Sequence, residues 1–249
     1  MAKALDGITS ISNLPTSNLW VIYGKSSSGK TWLSGTLPKP MLVLKIGDNG
    51  LQTIANVEGI EVLTINNPAH LKDVLIELQN NKKYKTILAD TFSLSVNEWV
   101  NENSTNKKKR MSQQMWGDLK TDSEELIRLA QKLSINRIVV LTCHEATDAF
   151  EGMEDEILPD IRASVSKGSR TYLEGMANYG VHTIKVKRDR INKKTGETEE
   201  IIKYAAQIGP DPYYWTKLQI DPAVKVPKLV FNPTFDKLQE IINGGISNE

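Results

Sequence analysis

Two glycines separated by four residues, followed at once by a lysine and a hydroxyl, form the densest chemistry in the chain: Gly24-Lys25-Ser26-Ser27-Ser28-Gly29-Lys30-Thr31. The spacing is that of a phosphate-binding loop. Glycines let the backbone wrap around phosphates with no side chain in the way, and successive N–H groups form an anion nest. In that reading Lys30 reaches the β- and γ-phosphates and the Thr31 hydroxyl ligates Mg²⁺. The competing reading is a plain serine-rich turn. The context favours the loop, because the apolar run Leu19–Tyr23 precedes it and a helix start follows.

A metal-bound triphosphate needs a second acidic anchor at a strand end. Thr86-Ile87-Leu88-Ala89-Asp90 offers one, three apolar residues and then an aspartate. Asp90 is therefore the candidate for the Mg²⁺ shell, with an exposed helix N-cap as the alternative. Thr91 either assists it or caps the next helix.

These groups need a scaffold. Apolar runs at Leu19–Tyr23, Met41–Leu44, Glu61–Ile65, Thr86–Ala89 and Arg137–Thr142 read as strands. Leu71, Val74, Leu75 and Leu78 fall on one helical face, as do Leu119, Leu126, Ile127, Ala130 and Leu133. Strands alternating with helices predict an α/β fold with a mostly parallel central sheet flanked by helices. Val181–Lys187 and Ile201–Ala206, joined across a Lys-Lys-Thr-Gly turn, predict a C-terminal antiparallel hairpin, and Phe235–Ile242 a closing helix. One domain over 1–249 is expected: an N-terminal arm 1–16, a nucleotide-binding core 17–180, and a hairpin extension with closing helix 181–249.

Composition narrows the setting. The 249 residues carry a net charge of +1, so no global field draws in nucleic acid. A single cysteine excludes an intramolecular disulfide framework and fits a reducing compartment. With no apolar leader and no run long enough for a membrane span, the expected location is the cytoplasm, of a host cell if the chain is phage-encoded. Charge is nonetheless clustered. Basic runs at Lys107, Lys108, Lys109 and Arg110, and again at Arg162, Lys167 and Arg170, flank an acidic tract over 145–160. Runs of this kind are often only solvated surface.

The order phosphate loop, "LVLKIGDNG", "TILADT", "VVLTCHE", basic region and hairpin resembles RecA-like P-loop ATPases, and more closely the short phage-type RecA-core proteins that act as single-strand annealing recombinases. The resemblance runs over roughly residues 17–245. It implies a RecA-like core, ATP with Mg²⁺, hydrolysis, single-stranded DNA as partner, and a self-assembled ring or filament. A single-stranded DNA-binding protein is a further partner it suggests.

Residue by residue, the resemblance places the water-activating acid at Asp48. Aspartate is shorter than the usual glutamate by about 1.5 Å, and a misplacement of that size costs about a hundredfold in rate. Slow hydrolysis is expected if Asp48 is the base, although Asp-Asn-Gly is equally a turn sequence. His144 falls where the family senses the γ-phosphate; a structural histidine is the alternative. Lys185 and Lys187 share one strand face and match cations that reach a neighbouring subunit's nucleotide; lysines also protect an edge strand from aggregation. A mobile DNA loop is expected over about 146–170, and a second around Lys107–Arg110 with Trp116 as a stacking or core residue. Zinc binding by Cys143 and His144 is disfavoured by their adjacency. Two other functions stay open: a P-loop kinase of a small phosphoryl acceptor, and a non-hydrolysing, ATP-switched DNA-binding or loading protein.

Overall fold

The computed structural model describes residue 10 and residues 16–47, 50–103, 111–151, 157–191 and 198–244. Its centre is a mixed sheet. Strands β1 (Leu19–Gly24), β2 (Met41–Lys45), β3 (Ile60–Thr64), β4 (Thr86–Asp90) and β5 (Ile138–Glu151) lie parallel in the order β1-β5-β4-β2-β3. Across β1, strand β7 (Tyr179–Ile191) pairs in parallel and then turns into an antiparallel hairpin with β8 (Thr198–Gln207). The edge strand β10 (Leu229–Phe231) closes that side, and β9 (Lys217–Leu218) pairs with the start of β7.

The apolar runs in the sequence have a direct cause. β1 and β4 are buried along their whole length because helices cover both faces. One face packs under α2 (Pro68–Glu77), α4 (Gln113–Leu133) and α5 (Lys167–Met176), through Leu71, Leu75, Ile127, Ala130 and Leu173. The other packs under α1 (Lys30–Gly35) and α6 (Phe235–Ile242), through Leu33, Leu37, Leu238 and Ile241. Side-chain caps start three of these helices: Asn67 accepts from the His70 amide, Ser112 from Met115 and Thr234 from Lys237. At the sheet edge, β3 leaves Val62 and Leu63 exposed.

One expectation changes. Residues 146–170 are not one loop. β5 continues past the sheet to Glu151 and pairs antiparallel with β6 (Ile157–Ala163), after which α5 begins at Lys167. The alternation of Ile161 and Ala163 with polar neighbours lets this arm form a ladder. Residue 180, at the expected boundary between core and extension, lies inside β7, whose Tyr179–His182 segment pairs with β1. The hairpin itself forms as expected, and the closing helix spans Phe235–Ile242.

Candidate phosphate-binding site

The site lies at the C-terminal ends of β1, β4 and β5. Gly24 leaves β1 so close to β7 that a Cβ there would sit 2.3 Å from the Thr183 carbonyl oxygen. No other residue fits. Ser27 and Gly29 take left-handed conformations, with φ of 59° and 98°, which curl the loop back into α1. The Ser28 amide closes it by donating to the Lys25 carbonyl at 3.2 Å. Ser28 Oγ and Thr183 Oγ1 are 2.6 Å apart, and Thr183 also donates to the Tyr23 carbonyl at 3.2 Å, so β7 buttresses the loop from outside.

Lys30 is buried, its ammonium donating to the carbonyls of Gly24 at 2.9 Å and Lys25 at 2.8 Å. This keeps the cation folded against the loop that a phosphate would enter. Next to it, the Thr31 hydroxyl donates to Asp90 Oδ2 at 3.1 Å. Thr91 donates to Asp90 Oδ1 at 3.2 Å, and Thr142 on β5 donates to the same oxygen. Three hydroxyls thus fix the carboxylate's orientation. Asp90 is buried, so it is not an exposed helix cap. A hydroxyl beside an oriented carboxylate is a hard-oxygen donor set that suits Mg²⁺.

Above these groups is a cavity of about 460 Å³ lined by Ser26, Ser27, Gly29, Lys30, Thr31, Trp32, Gly50, Thr53, Thr91, His144 and Tyr204. That volume is in the range of small-molecule sites. His144 reaches it from the last parallel pair of β5, opposite Gly24, with its amide donating to Ser93 Oγ at 3.0 Å. Neighbouring Cys143 is fully buried, and burial pushes its thiol up to about 12.

Two wall residues escaped sequence reasoning. Trp32 is 53% exposed and Tyr204 41% exposed, yet both face the cavity. A Cβ at Gly29 would lie 3.1 Å from the Tyr204 ring. Trp32 was legible as the residue after the motif. Tyr204, far away in sequence, had only the alternation of β8 as a signal.

The outer candidates divide. Lys185 pairs with Tyr204 in the β7/β8 register, with its ammonium 5.9 Å from that ring, and so flanks this chain's own loop. Lys187 is exposed and forms an ion pair with Glu200 at 2.9 Å. Arg162 is engaged by Asp160 at 2.6 Å and Glu174 at 2.9 Å. Arg170 is only 9% exposed and pairs with Asp148, whose carboxyl its hydrogen bond holds below the usual range. Part of the acidic tract therefore neutralises the neighbouring basic run. Lys167 remains exposed at the start of α5. Trp116 is 53% exposed, which removes it from the core. It shares a face of α4 with Lys120, whose side chain packs against Gly168, the neighbour of Lys167. Asp48 and Lys107, Lys108, Lys109 and Arg110 lie outside the described residues.

No curated protein matches the chain. A family model described as an AAA domain matches residues 17–207, the span that contains the phosphate loop, Asp90, the parallel sheet and both strands of the hairpin. With that match covering most of the sequence and the loop geometry beneath it, the chain belongs to the AAA domain family of P-loop, ATPase-like proteins.

Proposed function

We propose that the protein binds ATP with Mg²⁺, hydrolyses it slowly, and uses it to bind single-stranded DNA in annealing or recombination. One observation carries the nucleotide part: Thr31 and Asp90, 3.1 Å apart, stand beside buried Lys30 at the foot of the cavity. Thr31 and Asp90 would hold Mg²⁺, which supplies charge neutralisation at the β- and γ-oxygens. Lys30 then turns its ammonium from the loop carbonyls to the phosphates, and the loop amides orient them. His144 donates one hydrogen bond toward the terminal phosphate. Trp32 and Tyr204 offer ring faces on which the base can stack.

The DNA part rests on the resemblance to RecA-core recombinases and on the surface where Trp116, Lys120 and Lys167 converge, a stacking ring beside phosphate-contacting cations. A ring or filament would repeat this modest patch along the strand and gain avidity. The test pairs two assays. Phosphate release is measured with and without single-stranded DNA, and DNA binding with and without a slowly hydrolysed ATP analogue. DNA-stimulated release supports the full reading. DNA binding without turnover reduces the protein to an ATP-switched binder, and absence of DNA binding at low salt, where phosphate contacts are strongest, overturns the DNA part.

A further inference from the structure

Glu145 occupies a junction. The last parallel pair of β5 with β1 is His144 with Gly24, and the first antiparallel pair of the β5/β6 arm is Glu145 with Ala163. The strand passes at this residue from the sheet that carries the phosphate loop to the arm that projects from it. One carboxylate oxygen is 3.8 Å from the ammonium of Lys25 in the phosphate loop, and the other is 3.0 Å from His182 Nε2 on β7.

His182 is not a simple packing residue. It is 1% exposed, and its ring is stacked between Tyr214 at 4.6 Å and Tyr23 at 4.7 Å. A carboxylate can only accept, so the contact with Glu145 places the imidazole proton on Nε2. Nδ1 is then left buried with no hydrogen-bond partner among the described residues. Such an atom is costly to bury. The ring's orientation is therefore set by Glu145 and the flanking rings. Trp215 lies tilted against Tyr23 with ring centroids 6.0 Å apart, and the Tyr23 hydroxyl is hydrogen-bonded to the carbonyls of Trp215 at 2.6 Å and of Ile161, on β6, at 3.2 Å. Contacts thus run from Glu145, on β5, through His182 and Tyr23 to β6.

We propose that Glu145, held in place by His182, is a positioning residue that relays nucleotide occupancy from Lys25 to the β5/β6 arm. This rests on the ATP-binding reading. The Lys25 side chain is 82% exposed, so its contact with Glu145 is screened and weak. A triphosphate in the loop presents several negative charges to the same ammonium and outcompetes one distant carboxylate. Glu145, with its side chain 12% exposed, then keeps His182 as its ion-pair partner among the described residues, and the base of the arm adjusts to the lost cation.

Amide hydrogen exchange over 145–151 and 157–163, with and without saturating Mg²⁺ and a slowly hydrolysed ATP analogue, tests the relay. Binding itself is followed by calorimetry. In the intact protein the analogue is expected to change exchange in the arm severalfold. In Glu145→Gln the arm is expected to exchange at the same rate without the analogue and at saturation with it. A full response in that variant overturns the relay. Should Glu145→Gln fail to fold by circular dichroism, His182→Gln and His182→Leu replace it. Glutamine keeps a donor near the place of Nε2 and should retain the response, whereas leucine should lose it; equal responses overturn the proposal. An intact protein that binds the analogue with no change in the arm sinks the relay alone. One that binds no nucleotide sinks the ATP reading and the relay with it.

Discussion

The phosphate loop and the basic run from the end of β6 into α5 both looked cationic in the sequence, but their cations meet different partners. Lys30 is buried, and its ammonium donates to two main-chain carbonyls of the phosphate loop itself. Arg162 and Arg170 are already claimed, by Asp160, Glu174 and Asp148. A cation folded against the loop that a phosphate would enter is placed for a ligand, while one paired with carboxylates across the arm serves the fold. Counting charges along a chain cannot separate the two, because the partners come from other elements.

Substitutions can break or sharpen this contrast. Lys30→Ala should have the largest effect, lowering turnover about a hundredfold or more. It should also abolish the thermal stabilisation by ATP, which in the intact protein would be about 2.7 kcal/mol at a hundred times Kd. Retained phosphate release would mean that the loop has been misread. Trp32→Ala should weaken nucleotide binding about tenfold, the scale of a lost base stack, with little change in melting temperature. Unaltered affinity by calorimetry would remove the ring from the base site.

For the arm, Arg170→Ala should act on stability. Its partner Asp148 is partly exposed, so the loss should lie between a surface pair and a fully buried one, about 1–3 kcal/mol in a urea titration. Lys167→Ala should leave stability within about 0.5 kcal/mol and instead reduce the salt slope of DNA binding by about one unit. If Arg170→Ala spared stability and removed DNA binding, the contrast would be wrong. The smallest effect is on acid unfolding. Asp148 titrates below its unfolded value of about 3.9, so its contribution is present above that pH and fades as pH falls through the lower folded value. Asp148→Asn should make unfolding below about pH 4 less steep.

Legibility followed sequence distance. The loop and its helix start are contiguous, and backbone conformation at Ser27 and Gly29 is set locally, so the motif alone located them. Asp90 was visible as an acid at the end of an apolar run, although the hydroxyls that orient it come from three separate places. The parallel sheet was readable because strands buried on both faces must be apolar throughout. The β5/β6 arm was not, since its ladder is half polar and the pair of Asp148 with Arg170 joins residues 22 positions apart. Tyr204 and His182 were invisible as site neighbours for the same reason: each meets the loop or its flank from more than 150 residues away.

Cys143 has a practical consequence. It is the chain's only cysteine, and its thiol is sealed in the middle of β5 between the phosphate loop and the arm. A thiol-reactive dye cannot reach it while the strand stays in the sheet. Labelling of the native protein therefore serves as a clock for openings of the sheet's centre, and any cysteine introduced on the surface will be the fast-reacting one.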